Sequence, residues 1–211
     1  MTDSILEAAE IRVLGVLVEK QLSTPEYYPL TINALTTACN QKTNRDPVSG
    51  YTSDEVTTAL ETLQRRRLIG TVSGASSRSV KYRHALAEAW KLDEAGLTAM
   101  ASLMLRGPQT VGEVRGRTGR MHAFDTLEAV QDVFDALNTR EPPLVTQLPL
   151  QPGRKEVRYA HLLAGPPDPE AFALPLVGDA RVVALEHEVE DLRDALEALR
   201  AEFEAFRREF E

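Results

Sequence analysis

The stretch YTSDEVTTALETLQRRRLIGTVSGASSRSVKYRHAL, residues 51–86, decides the fold because it joins a helical pattern directly to a β-hairpin pattern. Its first part opens with a capping box, in which Thr52 and Glu55 satisfy each other's backbone amides. Its second part is a β-rich run, a Gly/Ser-rich tip and an alternating run, which predicts a hairpin. An apolar stripe at helical spacing follows the capping box. The stripe consists of Val56, Ala59, Leu60 and Leu63.

Two helical patterns precede this stretch. They are ILEAAEIRVLGVLVEKQL, residues 5–22, and LTINALTTACNQ, residues 30–41, and the proline-containing segment STPEYYPL separates them. Prolines end helices and favour extended backbone before them. Three helices followed by a β-hairpin is the element order of a winged helix, so residues 1–88 are predicted to form one winged-helix domain.

The same order of patterns recurs in residues 89–163, which predicts a second winged-helix domain. Val130 takes the place of Val56, and His161 takes that of His84. The third helix of this copy is expected to be capped at Asp125. The patterns are helical over 92–105, 110–119 and 124–137 and hairpin-like over 144–163. The predicted class is therefore mainly α with small β-hairpin wings (α+β).

A linker and a heptad repeat follow. Residues 164–180 contain four prolines and two glycines, which predicts a linker. Residues 181–211 alternate apolar spacings of three and four, which indicates a coiled-coil seam. The flanking charges favour a parallel homodimer, although the helix could instead pack on its own chain, and the terminal phenylalanines leave higher oligomers open. The seam consists of Val182, Leu185, Val189, Leu192, Leu196, Leu199, Phe203, Phe206 and Phe210.

Composition excludes several classes of protein. The net charge of −8 comes from the last 46 residues, which hold 5 Lys/Arg and 13 Asp/Glu, so the rest of the chain is neutral overall. The single cysteine, Cys39, excludes an internal disulfide framework and fits a reducing cytoplasm. No apolar run is long enough to span a bilayer, and the start is not a secretory signal. The scattered histidines have no metal-ligand spacing, so a cytoplasmic protein without metal or cofactor is predicted.

The segment RVLGVLVEKQLSTPEYYPLTINALTTACNQKTNRDPV, residues 12–48, together with VTTALETLQRRRLI, residues 56–69, is recognisable. It resembles the YceH-like family of uncharacterised bacterial proteins. The resemblance covers roughly residues 5–163. It implies tandem winged-helix domains and a cytoplasmic bacterial protein, and it implies no established activity.

Cations in the first domain favour contact with the backbone of double-stranded DNA. No acidic residue lies between Glu61 and Glu88, where a helix end and a wing carry several arginines and lysines. The long polar turn before the third helix adds two more cations. A triple arginine at a helix C-terminus can instead simply favour the macrodipole. The candidate nucleic-acid contacts are Lys42, Arg45, Thr58, Arg65, Arg66, Arg67, Arg78, Lys81 and Arg83.

Acidic residues argue against DNA reading by the second domain. Its third helix is expected to show Glu128, Asp132 and Asp135 opposite a buried stripe of Leu127, Val130 and Phe134. Acids on a reading face repel phosphates, so this helix, Asp125–Leu137, is a candidate surface for a protein partner. Two hypotheses therefore remain, a DNA-binding regulator and a winged-helix interaction scaffold that does not bind DNA.

An enzyme is not predicted, because no nucleophile–base pair, phosphate-binding glycine loop or metal constellation is recognisable. Cys39 falls on an apolar helical stripe and is expected to be a buried structural thiol. His84 and His161 end equivalent wings and are expected to pack. A small-molecule effector site stays open in the polar segments. Its candidate residues are Tyr27, Tyr28, Lys42, Arg45 and Asp46.

Overall fold

The computed structural model describes residues 5–72, 79–151 and 153–167. These residues belong to one compact unit that ends at Pro167. Four predicted features lie outside the described residues. They are the DNA contact at Arg78, the tip of the first hairpin, most of the linker and the dimerisation seam in 181–211.

The first half contains three helices and a three-stranded antiparallel sheet. Strands β2 and β3 form the predicted hairpin, and the short strand β1 adds to the other edge of β3. The sequence did not indicate β1, because two residues carry no periodicity. The elements are α1 (Ala8–Ser23), a 3₁₀ turn (Pro25–Tyr27), β1 (Leu30–Thr31), α2 (Ile32–Cys39), α3 (Ser53–Arg65), β2 (Ile69–Val72) and β3 (Lys81–His84).

The second half repeats three helices and a two-stranded antiparallel sheet, after one short helix that the sequence did not predict. This mixture of helices and small antiparallel sheets agrees with the predicted α+β class. The division into two domains at residues 88 and 89 stays a prediction. The elements are α4 (Leu86–Trp90), α5 (Glu94–Arg106), α6 (Val111–Arg117), α7 (Leu127–Thr139), β4 (Val145–Gln147) and β5 (Tyr159–His161).

The helix caps decide where the two amphipathic helices begin. The capping box of Thr52 and Glu55 is present at α3, as predicted. At α7 the predicted cap was wrong by one residue, because the Thr126 hydroxyl, and not Asp125, accepts a hydrogen bond from the Ala129 amide at 3.1 Å. Leu127 was also misplaced. It lies in the first turn and is 46% exposed, outside the buried stripe.

Helices α1 and α5 lie at the centre of one continuous hydrophobic core that both halves share. Both helices are buried on nearly all sides, as expected for helices without a polar face. Gly15 permits their close approach, because a Cβ atom there would lie 3.0 Å from the side chains of Met104 and Leu105. The halves are therefore joined by direct helix packing.

Candidate nucleic-acid interface

The three arginines at the end of α3 have different surroundings. Arg65 is exposed, and its guanidinium donates to the Thr62 hydroxyl at 2.8 Å. Arg67 is exposed and turns the chain with a positive φ of 58°. Arg66 is half-buried against α1, where it lies 3.8 Å from the Glu10 carboxylate and donates to the Ile5 carbonyl. Arg65 and Arg67 therefore face solvent, whereas Arg66 fastens the helix end.

Strand β3 places two cations on the outer face of the hairpin. Alternate residues of a strand point to opposite faces. His84 is buried. Lys81 and Arg83 alternate with it along β3 and therefore lie on the opposite face of the strand. Gly70 is paired with Arg83, and a side chain on Gly70 would begin 3.5 Å from the Arg83 guanidinium. The Arg83 side chain therefore lies across Gly70 on the neighbouring strand.

The outer face of α3 carries acids as well as cations. Asp54, Thr58 and Glu61 are all exposed along it. The Thr58 hydroxyl donates to the Asp54 carbonyl at 3.0 Å, so it is used within the helix. Two carboxylates on this face repel DNA phosphates. The face therefore suits contact at its arginine end better than insertion into a groove.

The structure corrects the expectation for Arg45. None of its side chain is exposed, and its guanidinium forms a bidentate ion pair with Glu19 of α1, at 3.1 and 2.6 Å. The same guanidinium donates to the Ala38 carbonyl, the Asn44 carbonyl and the Gln41 side chain. Arg45 was predicted to contact nucleic acid, and that prediction is wrong because every donor is used inside the fold.

The rest of the long polar turn is also explained by internal bonds. The side chain of Asn40 and the backbone of Tyr51 exchange two hydrogen bonds of 2.7 Å, which close the turn. The buried Arg12 of α1 donates to the Pro47 carbonyl at 2.7 Å. The Asp46 amide donates to the Leu105 carbonyl at the end of α5. The turn therefore links α1, α2 and α5, and Lys42 is the candidate contact within it that stays exposed.

These bonds also weaken the effector site that the polar segments suggested. Arg45 is paired with Glu19, and the Tyr28 hydroxyl accepts a hydrogen bond from the His84 amide at 2.7 Å. Tyr27 is 73% exposed on the 3₁₀ turn. Two of the five predicted residues, Arg45 and Tyr28, thus use their polar side-chain groups in internal contacts.

Burial makes Cys39 and His84 unsuited to chemistry at neutral pH. Burial raises the pKa of the Cys39 thiol to about 12, so it stays protonated. Burial lowers the pKa of His84 to about 4, and its Nδ1 accepts a hydrogen bond from the Leu86 amide at 3.2 Å. Burial likewise lowers the pKa of His161 to about 4. These groups pack, as the sequence predicted.

The neutral state of His84 predicts acid-sensitive stability. The unfolded imidazole binds a proton below pH 6.5, whereas the folded one resists protonation down to about pH 4. The stability that depends on neutral His84 is therefore fully present above pH 6.5. It is lost as the pH falls toward 4, by about 1.4 kcal/mol per pH unit for each such group. We expect His84→Asn, which keeps an acceptor, to remove that share of the slope in urea unfolding between pH 6 and pH 4.5. Equal slopes in the variant and the native chain would contradict this assignment.

Most cations of the second half are engaged internally. Arg115 donates to the carbonyls of Phe124 and Asp125, and Arg117 and Arg158 both contact Glu113. The outer face of α7 exposes Glu128, Asp132 and Asp135, as predicted.

Neither a metal centre nor a membrane span is recognisable in the part of the chain that the structure describes. No group of three His, Cys, Asp or Glu residues there could hold a metal ion. No helix there has the length and apolar character needed to cross a bilayer.

The chain is similar to a family described as "Protein of unknown function, DUF480", over residues 6–154. A UPF0502 protein of Geobacter sulfurreducens is 50% identical over 198 residues, which are 89% of this chain and 90% of the relative. A UPF0502 protein of Geotalea uraniireducens is 52% identical over 194 residues, 87% and 88% of the two chains. One of Opitutus terrae is 52% identical over 162 residues, 76% and 70% of the two chains.

Proposed function

Because the chain belongs to the DUF480 family of UPF0502 proteins, which confirms the family predicted from the sequence but names no activity, we propose a function from the geometry. The protein is a DNA-binding protein of tandem winged-helix architecture. Its first half contacts the backbone of double-stranded DNA through exposed cations, and it acts without catalysis.

The order of elements supports the winged-helix architecture. Helices α1, α2 and α3 precede the hairpin β2–β3, and helices α5, α6 and α7 precede the hairpin β4–β5. A helix preceded by a turn and followed by a hairpin is the arrangement in which winged helices present their third helix and wing to DNA. The long turn before α3 is consistent with it, because internal bonds hold its backbone in place.

One observation carries the DNA-binding proposal: the end of α3 leads directly into the hairpin, so its exposed arginines and the cations of β3 lie on adjoining elements, although Arg83 also lies 3.6 Å from the Glu88 carboxylate. Arg67 leads directly into β2, whose first residue, Ile69, is paired with His84 beside Arg83. Arg65 and Lys81 extend this set of cations along the helix and the strand. We call Arg65, Arg67, Lys81 and Arg83 the cationic surface. Such a surface suits phosphate contacts, which position a protein without specifying sequence.

A parallel homodimer through residues 181–211 would present two copies of the cationic surface, as palindromic DNA sites require. This part of the proposal rests on the heptad pattern and its flanking charges alone. We propose a cytoplasmic location, because a chain with a single cysteine fits a reducing compartment and bacterial DNA lies there.

A salt titration tests the proposal directly. We expect the log of the affinity for a random duplex to fall linearly with log salt, with a slope of about −0.9 for each phosphate that the cationic surface neutralises. Four contacts per chain predict a slope of about −3 to −4, measured by fluorescence anisotropy between 50 and 200 mM salt. No binding at the lowest salt would reject the proposal.

The acidic face of α7 favours a second candidate function, a protein-interaction scaffold. Its exposed Glu128, Asp132 and Asp135 would suit a basic partner surface and would repel DNA. The same titration separates the two functions, because a scaffold of this kind would show no affinity for random duplex at any salt concentration.

A further inference from the structure

A cavity of about 570 Å³ lies between the connection from α4 to α5 and the C-terminal half of α7. This volume is within the range of small-molecule sites in proteins. The cavity contains none of the residues of the cationic surface, so an occupant of it goes beyond the proposed function. Its lining comes from Trp90 to Gly96 on one side and from Asp132 to Glu141 on the other.

One wall of the cavity is apolar. Trp90 ends α4, Leu92 follows it, and Val133 and Leu137 come from α7. Trp90 is half-buried, and Leu137 is 3% exposed. An indole beside aliphatic side chains gives a flat surface on which an aromatic or branched hydrocarbon group can pack.

A cation stands at the edge of this apolar wall. One terminal amino group of Arg140 donates to the Trp90 backbone carbonyl at 2.7 Å, which holds the guanidinium at the end of α4. Its other terminal amino group has no bonding partner among the residues that the structure describes. A half-buried guanidinium with unused donors is a ready site for a carboxylate, which it binds through charge-assisted hydrogen bonds.

The remaining charges limit which anion can bind. Lys91 adds a second exposed cation, but Asp93, Asp132 and Glu141 also line the cavity. All three acids are exposed, and the Asp93 carboxylate accepts a hydrogen bond from the Gly96 amide at 2.8 Å and caps α5. Because three acids outnumber two cations, the lining disfavours a nucleotide or another polyanion. A ligand with a single negative charge, paired with Arg140, is compatible with it.

We propose that this cavity binds a small amphipathic monocarboxylate, with its carboxylate on Arg140 and its apolar body against Trp90, Val133 and Leu137. A second hollow of about 360 Å³ also touches Trp90, and its cation is Arg66. That guanidinium is already bonded to Glu10 and to the Ile5 carbonyl. Of the two hollows that Trp90 lines, the cavity at Arg140 is therefore the one that suits an added anion.

The sequence supplies its own reporter, because Trp90 is the single tryptophan of the chain. The experiment titrates the full-length protein with 4-phenylbutyrate and follows the fluorescence of the indole. We expect a saturable change, and an affinity at least about tenfold lower for 4-phenylbutyramide, which lacks the charge that Arg140 recognises. Equal affinity for the acid and the amide, or no saturable change with the acid at millimolar concentration, would overturn the proposal.

A matched pair of variants on α7 localises the binding. Ala136→Phe fills the cavity without changing any charge, and Asn138→Phe adds the same ring at an exposed position that does not line the cavity. We expect Ala136→Phe to abolish the response to 4-phenylbutyrate and Asn138→Phe to keep it, with both variants folded by circular dichroism. Unchanged binding in Ala136→Phe, or equal loss in both variants, would place the probe elsewhere and reject the site.

Discussion

Replacing Arg45 with methionine is expected to lower the free energy of unfolding by about 3–5 kcal/mol, the usual effect of removing one partner of a buried ion pair. The substitution leaves the Glu19 carboxylate, only 10% exposed, without its bidentate partner. It also removes the donor that satisfies the carbonyls of Ala38 and Asn44. The unfavourable burial of these acceptors, and not the lost attraction alone, makes the effect large.

Urea unfolding followed by circular dichroism measures this change, and Lys42→Met is the matched control. Lys42 lies in the same turn and is exposed, so its replacement should change the free energy of unfolding by less than about 0.5 kcal/mol. The double variant Glu19→Leu with Arg45→Met should recover much of the loss, because no buried charge is then left unpaired. An Arg45→Met variant as stable as the Lys42→Met control would show that the ion pair does not contribute to the free energy of unfolding.

Reversing the charge of Arg65 and Arg67 together should abolish measurable binding to random duplex at physiological salt. These arginines are exposed at the end of α3, and glutamates there would repel the phosphates that the arginines are proposed to contact. At low salt, where residual binding is measurable, the salt slope should become shallower by about 2, since two phosphate contacts are lost. Anisotropy titrations at several salt concentrations give both quantities.

The control for this experiment reverses the charge of Arg120 and Lys155, which are exposed in the second half. It changes the net charge by the same amount away from the cationic surface. We expect it to weaken binding modestly and to leave the salt slope unchanged. An equal loss in both double variants would mean that overall charge, and not contact at α3, governs the affinity.

The long helices could be predicted because their residues carry periodic signals. The stripe of Val56, Leu60 and Leu63 and the capping box of α3 are all present in the structure. Strand β1 and helix α4 were missed, since they are too short to show a period and form only where a neighbouring element completes them. The cap of α7 was displaced by one residue because Asp125 and Thr126 are adjacent and both residue types cap helices well.

The role of Arg45 could not be read from the local pattern. A cation in a polar turn looks like a surface residue, and its partner Glu19 lies 26 residues earlier. One signal was available in α1, whose buried stretch, residues 10–19, is apolar except for Glu10, Arg12 and Glu19. Charges on a buried helix require partners. A polar turn elsewhere in the chain is where such partners would be sought.

The contact at Gly15 has a consequence for how the halves respond to stress. Where the backbone of one helix packs directly against the side chains of the other, neither half can lose its structure and leave the other's apolar surface covered. The halves should therefore melt as a single cooperative transition, and each one alone would expose an apolar helix and self-associate. Although the sequence predicts two domains, the shared core should make the two halves unfold as one unit.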